Sequence, residues 1–251
     1  MLDQWINGLV IGNLYMLTAI GITQIYGVAG VVNFAHGSVY MFGAYIGWMA
    51  ITWFGWPLLP AIGLVLAGSA LLGLLLERFA VRPFAQAGST ILLLTTIAAG
   101  LILDNAAQVI WGPQTQALRN PLPQWYLQLE SGIVTLLDLF ILACGVTTAL
   151  ILHLFLYRSR AGWAVRATAQ DRDAALQMGI DVNGVSRLSF ALAGAFAGLS
   201  GLLVGLYFNN IYPTMGASAT LKGTTAALLG GLGNVPGAIL GAYVLGIVEA
   251  F

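Results

Sequence analysis

The chain is 251 residues long, 59% hydrophobic, 7% charged and formally neutral. Soluble domains carry about 25% charged residues, so this composition excludes a water-covered globule and indicates a polytopic membrane protein. The single cysteine, Cys144, lies in an apolar run, which rules out an internal disulfide and offers no metal-ligand spacing.

The first segment, MLDQWINGLV, has neither a basic region nor a small-residue cleavage site, so a retained span rather than a signal peptide is expected to begin at Gly8. Crossing the hydrocarbon core takes about 20 apolar residues as a helix. The predicted spans are residues 8–28, 37–55, 58–76, 90–110, 132–156, 188–208 and 223–250. Continuous apolarity, without alternation at every second residue, excludes a transmembrane barrel, and helices then remain as the way to satisfy the backbone in lipid. The expected fold is an all-α polytopic transmembrane helical bundle over 1–251, with interrupted helices and a polar loop at 157–187.

Two interruptions stand out. In YGVAGVVNFAHGSVYMFGAY (26–45), Gly27, Gly30, Asn33, His36 and Gly37 cluster before a span resumes. In LLGGLGNVPGAILGAY (228–243), Gly230, Gly231, Gly233, Asn234, Pro236 and Gly237 repeat that texture, and each break is followed by Gly-Ala-Tyr. Broken helices at membrane depth occur where they are buried in protein or line a cavity, and paired breaks in two halves mark a substrate path. Asn33, His36, Gly37 and Asn234 are therefore the candidates for a translocation path. The competing reading is structural: His36 as a hydrogen-bonded core residue, Asn33 as a cap or bridge. Asp104, beside Asn105 and Gln108, is expected to face protein or water, and Asp138 to reach the interface, because a carboxylate at the centre of a span costs about 2.5–3.5 kcal/mol.

Basic residues accumulate in cytoplasmic loops. Arg78 and Arg82 fall in 77–89, and five more arginines, Arg158, Arg160, Arg166, Arg172 and Arg187, fall in 157–187. Two spans separate these loops, so both face the cytoplasm. The proline-rich loop 111–131 then lies outside, as does the N-terminus unless a segment of 29–50 is re-entrant. Glycines at 194, 198, 201 and 205 form one helix stripe, and Gly8/Gly12, Gly43/Gly47 and Gly237/Gly241 are further small-residue pairs. They predict a compact bundle of closely approaching helices.

The polar loop holds Thr168-x-x-Asp171, close to a capping box, and Gly179 where a helix would end. A helix of about ten residues is expected between them. Its face of Ala167, Ala174, Ala175 and Met178, ringed by Arg166, Gln170, Arg172 and Asp173, suits docking into a groove on another protein; the alternative is an ordinary solvated loop. Lys222 lies in ATLKGTT, where Leu221 rather than glycine precedes it, so a phosphate loop is absent. With no nucleophile–base pair, metal cluster or dinucleotide fingerprint either, the chain is not expected to be an enzyme.

Four segments resemble the LivH-type permease subunit of branched-chain amino acid ABC importers: IYGVAGVVNFAHGSVYMFGAY, LLERFAVRPF, GWAVRATAQDRDAALQMGID and LLGGLGNVPGAILGAYVLGIVEA. The resemblance implies a multi-pass subunit of the bacterial inner membrane. Its partners would be a LivM-like permease, two cytoplasmic ATP-binding subunits carrying ATP and Mg, a periplasmic or extracellular amino-acid-binding protein and the lipid bilayer, with no nucleic acid. It assigns ATPase coupling to the polar loop, with Arg166, Thr168, Asp171, Ala174, Ala175, Met178 and Gly179 as contact residues, and no cofactor to this chain. Related permeases carry urea, short amides or other hydrophobic amino acids, and a stand-alone secondary carrier or channel is the reading from another class; a packed assembly subunit with no path of its own is a third. Since members of the family usually continue beyond the position of Phe251, the chain is expected to be a fragment lacking its last helix.

Overall fold

The computed structural model describes residues 2–123, 125–129 and 132–251. It is an all-α bundle. Helix α1 (Leu2–Ala29) is followed by α2 (His36–Trp48), extended by a wider π-helical turn to Trp53. Helix α3 (Leu58–Leu76) continues through a second π-helical turn, Glu77–Val81. Then come α4 (Ser89–Trp111), α5 (Leu136–Arg158), α6 (Arg160–Gln170), α7 (Arg172–Gln177), α8 (Val182–Phe208), α9 (Met215–Gly230) and α10 (Val235–Ala250). Two small antiparallel pairs brace the loops: Gln116–Ala117 (β1) with Asn210–Ile211 (β4), and Tyr126–Leu129 (β2) with Gly132–Thr135 (β3).

Asp3–Ala29, Leu58–Phe84, Ser89–Trp111, Leu136–Arg158 and Val182–Phe208 are long and apolar enough to cross a membrane. Helices α1 and α8 form the buried centre, whereas α3, α4 and α5 present bare apolar faces, including Leu71, Ile102, Val109 and Leu150. Such faces suit hydrocarbon, where no water competes for them.

Three sequence expectations need correction. Residues 132–135 are strand, and the helix begins at Leu136, where Thr135 and Asp138 form a capping box. Asp138 therefore caps its helix instead of merely reaching for the interface. Residues 223–250 are not one span: α9 and α10 are bent by 118°. The turn between them places Gly231 and Gly233 at φ +89° and +86°, a region cheap only for glycine. Apolarity alone does not register a four-residue reversal. Finally, the segment at 37–55 starts inside the bundle, because His36 lies beside Gly21 of α1, roughly 12 Å along the axis before that helix ends.

Both arginine-rich loops lie at one end of the bundle. Val28 and Ala29 at the end of α1 share a crevice with Glu77, Arg82, Arg172 and Asn183. At the opposite end Asp3 accepts a hydrogen bond from the Ile133 N–H at 3.1 Å, and β1 pairs with β4. The N-terminus therefore lies away from the arginines, as counted from sequence; the segment 30–35 folds back into the bundle without changing that count.

The elements repeat in the same order with inverted direction. Helix α1, six non-helical residues and the shorter α2 correspond to α8, six non-helical residues and α9, and the two sets run in opposite directions. Helix α2 packs on α8 through Gly43 and Gly198, and α9 packs on α1 through Gly223, Thr18 and Ile22. Similarly, α3 packs on α8 through Gly73 and Gly194, as α10 packs on α1 through Gly246 and Gly12. The two short helices meet at their first turns. A Cβ on Gly37 would strike the Gly216 carbonyl, and a Cβ on Gly216 would strike that of Gly37. This reciprocity defines a pseudo-two-fold relation with Gly37 opposite Gly216. The break matching 30–35 is thus 209–214, and not the Gly-rich turn at 231–234 suggested by the shared Gly-Ala-Tyr.

Gly216→Val should separate the two first turns. Overpacking of this kind costs about 1–3 kcal/mol, so the melting temperature of the detergent-solubilised chain should fall. Gly63→Ala in α3, where an added Cβ meets nothing within 4 Å, should leave it unchanged or raise it. Equal melting of Gly216→Val and the unmodified chain would contradict a crossing closed by backbone contact.

Candidate functional site

The crossing of α2 and α9 divides the bundle interior. On the side away from the arginines, a cavity of about 350 Å³ opens between α1, α2, α8, α9 and α10, within the ~300–1,000 Å³ typical of small-molecule sites. Ile11, Leu14, Val204 and Met215 give it apolar walls. Thr18, Tyr40, Ser200 and Ser218 add hydroxyl-bearing side chains. The Ser200 hydroxyl donates to the Leu14 carbonyl at 2.9 Å, which leaves its oxygen to accept from Thr18 at 3.1 Å.

Lys222 and Glu249 stand at the cavity's edge. The Lys222 ammonium pairs with Glu249 Oε1 and donates to the Tyr15 hydroxyl at 2.6 Å. That hydroxyl donates in turn to Glu249 Oε2 at 2.7 Å. The side chains of Lys222 and Glu249 are each 40% exposed. Lys222 is the only lysine in the chain. Ionisable groups in a membrane bundle are costly, and they face one another or a water-filled space; this group does both.

The pseudo-symmetry identifies the counterpart of this cavity. Ile25, Ala29, Val31 and Asn33 occupy the places of Val204, Phe208, Asn210 and Tyr212, and Phe190 that of Ile11. These residues border a crevice of about 10 Å³. Ile25, Val81, Leu92, Phe190 and Ala193 pack together there as a separate apolar cluster. One half of the repeat is open and its equivalent is shut. A second cleft, of about 280 Å³, lies across the crossing between α2, α4 and α9, and is lined by Phe34, Ser38, Gly100, Asp104, Gly216 and Thr220. Asp104 faces it, in line with a mid-span carboxylate turned away from lipid.

Three of the four expected path residues come together at the first break. Asn33 is buried, and its Oδ1 accepts from the Ala35 N–H at 3.1 Å. His36 is buried beside Gly21, with Nε2 unpartnered among the described residues. Gly37 forms the crossing itself. Asn234 stands apart at the arginine-rich end, where its Oδ1 accepts from the Gly237 N–H at 3.3 Å and caps α10. None of the four is among the residues lining the 350 Å³ cavity. Tyr15, Thr18, Ser200, Lys222 and Glu249 were not singled out from sequence for a path, although a lone lysine and a lone glutamate inside apolar runs were a readable signal.

The polar loop forms two helices instead of one. Ser159 caps α6, its Oγ accepting from the Gly162 N–H at 2.8 Å. Thr168 is not a helix start: it is buried inside α6, and its hydroxyl donates to the Ala164 carbonyl at 2.8 Å. Asp171 ends α6 and caps α7, accepting from the Asp173 and Ala174 N–H groups at 2.9 Å each. Gly179 closes the motif at φ +80°, as expected of a helix-ending glycine. The Arg166 Nε–H donates to the Leu156 carbonyl at 3.1 Å, and its guanidinium stacks over Tyr157 at 4.4 Å. Arg166, Thr168 and Ala175 thus hold the loop to the bundle or to itself. Asp171, Ala174 and Gly179 are exposed, and Met178 is 84% exposed. Beneath, the Ala169 methyl packs over Gly27 at the end of α1, next to Gly233 in the α9–α10 turn.

Residues 4–251 match the family described as branched-chain amino acid transport system, permease component. The chain is 35% identical to the high-affinity branched-chain amino acid transport system permease protein BraD of Pseudomonas aeruginosa, covering 100% of this chain and 85% of that protein. It is 36% identical to the corresponding permease protein LivH of Escherichia coli, over 99% of this chain and 85% of the relative. The probable branched-chain amino acid transport permease protein LivH of Methanocaldococcus jannaschii is 28% identical over 97% of the chain and 78% of its own length. No solved structure matches. With an inverted repeat in its bundle and this similarity along its whole length, the chain belongs to the family of permease components of branched-chain amino acid transport systems.

Proposed function

We propose that the chain is the membrane-spanning subunit through which a branched-chain or related hydrophobic amino acid enters a bacterial cell across the inner membrane, driven by ATP hydrolysed on separate subunits. The observation that carries this reading is the pair of equivalent spaces, one of about 350 Å³ and the other about 10 Å³. Alternating access is the exchange of those two states across the Gly37–Gly216 crossing. In this reading the arginine-rich end faces the cytoplasm, and the open cavity faces a soluble amino-acid-binding protein outside. A second, LivM-like permease completes the membrane pore, and two ATP-binding subunits hold ATP and Mg.

Helices α6 and α7 are the element that receives the work. The exposed Leu176 and Met178 supply an apolar contact, and Arg166 fastens the base of the loop to α5. Displacement of α6 reaches the end of α1 through Ala169 and Gly27, directly beside the closed cluster. Moving a two-state equilibrium from 1:99 to 99:1 takes about 5.5 kcal/mol of differential interaction. The ATP-binding subunits would deliver this by gripping the loop differently in their two nucleotide states. One observation favours a stand-alone carrier: Lys222 and Glu249 are the sort of intramembrane charges such carriers use. Uptake that persists without any ATPase would select that reading.

Three outcomes test the proposal. In a Cys144→Ala background, Val204→Cys should react with a membrane-impermeant maleimide from the outer face, while Ile25→Cys should be protected from both faces until ATP binds. Equal labelling of the two would refute alternating spaces. Met178→Asp should cut ATPase capture and leucine uptake about thirty-fold, the size of a 2 kcal/mol contact residue. Asp171→Asn, which keeps a capping oxygen, should retain more uptake than Asp171→Ala, which loses about 1 kcal/mol of cap; both are read as leucine transported per ATP hydrolysed by the reconstituted complex.

A further inference from the structure

The Lys222–Tyr15–Glu249 group is set where a small solute entering the open cavity would meet it. We propose that this group is the recognition site for the charged end of a free α-amino acid, resting on the permease reading above: Lys222 takes the carboxylate and Glu249 the ammonium. The cavity presents one cation and one anion on neighbouring helices, α9 and α10, already in contact. The zwitterion of an α-amino acid carries the same two charges on groups attached to one carbon. It can therefore insert between them and exchange one ion pair for two, leaving no charge unpaired. A cation or an anion alone cannot, because it would leave Lys222 or Glu249 facing a like charge or none. Tyr15 is placed to hold both partners while the ligand arrives, since its hydroxyl accepts from Lys222 and donates to Glu249.

The rest of the cavity fits the other end of such a ligand. Leu14, Ile11, Val204 and Met215 form a wall for an apolar side chain. Sites built to pair a polar group reject analogues lacking it far more strongly than apolar pockets reject a missing methylene. Discrimination should therefore centre on the backbone charges of the solute, with tolerance among hydrophobic side chains.

The test is equilibrium binding of tritiated leucine to the full chain in nanodiscs, without any soluble binding protein. Saturable binding is expected, with leucinamide and 4-methylpentanoate each competing at least ten-fold more weakly than leucine. Lys222→Gln should weaken leucine binding about ten-fold or more, as loss of a hydrogen bond to a charged group does, and should bring leucinamide level with leucine. Glu249→Gln should do the same for 4-methylpentanoate. A merely structural ion pair would lower stability without moving these preferences. Absence of saturable binding, equal competition by leucinamide in the unmodified chain, or leucine affinity within two-fold in both variants would overturn the proposal. If a variant does not fold, the competition order in the unmodified chain decides. ATP-driven leucine uptake by the complete transporter is read separately. Its loss in the unmodified protein would refute the permease reading, while normal uptake with unchanged binding in the variants would refute this site alone.

Discussion

The architecture depends on one close contact: the first turns of α2 and α9 touch backbone to backbone at Gly37 and Gly216. Any side chain at either position would drive the other helix away. Because the contact is reciprocal, it sets an axis about which the two halves are related, and that axis places the open cavity and the closed crevice on opposite sides of one seam. Glycine stripes elsewhere serve the same end. They let α3 and α10 lie close against α8 and α1, so that the two long central helices carry the short ones between them. In lipid, where apolar burial does not drive helix association, close packing of this kind holds a bundle together.

The second determinant is the cost of charge. A chain with nine basic and nine acidic residues places most of them at its arginine-rich end. Four of the exceptions are informative. Asp138 closes a helix start, Asp104 borders a cleft, and Lys222 with Glu249 borders the 350 Å³ cavity. None faces hydrocarbon alone. One buried amide links three helices: Asn13 joins α1 to the Ile141 carbonyl of α5 and accepts from Tyr243 of α10.

Much of this was legible in the sequence. Apolar length located the long spans, arginine placement located one end, and clustered Gly, Asn and His located the first break. The second break escaped because Asn209, Asn210 and Pro213 read as an ordinary connection between spans. Its significance lies in where the next helix starts, which hydropathy does not report. The Gly-Ala-Tyr similarity was misleading for the same reason: it matches residues by texture, whereas the repeat is set by direction of travel. Thr168 had the spacing of a cap but lies inside α6. The capping box at Thr135 and Asp138 had the same spacing and was real; what differs is whether the preceding residues already form a helix. Lys222 and Glu249 are 27 residues apart, and only the 118° bend between α9 and α10 brings them together.

The repeat is symmetrical in its backbone but not in its chemistry. At the position equivalent to Lys222, the other half carries Gly43. The closed crevice instead adjoins Glu77, Arg82 and Arg172 at the arginine-rich end. Opening the seam the other way would bring a solute against different charges from those bordering the first cavity.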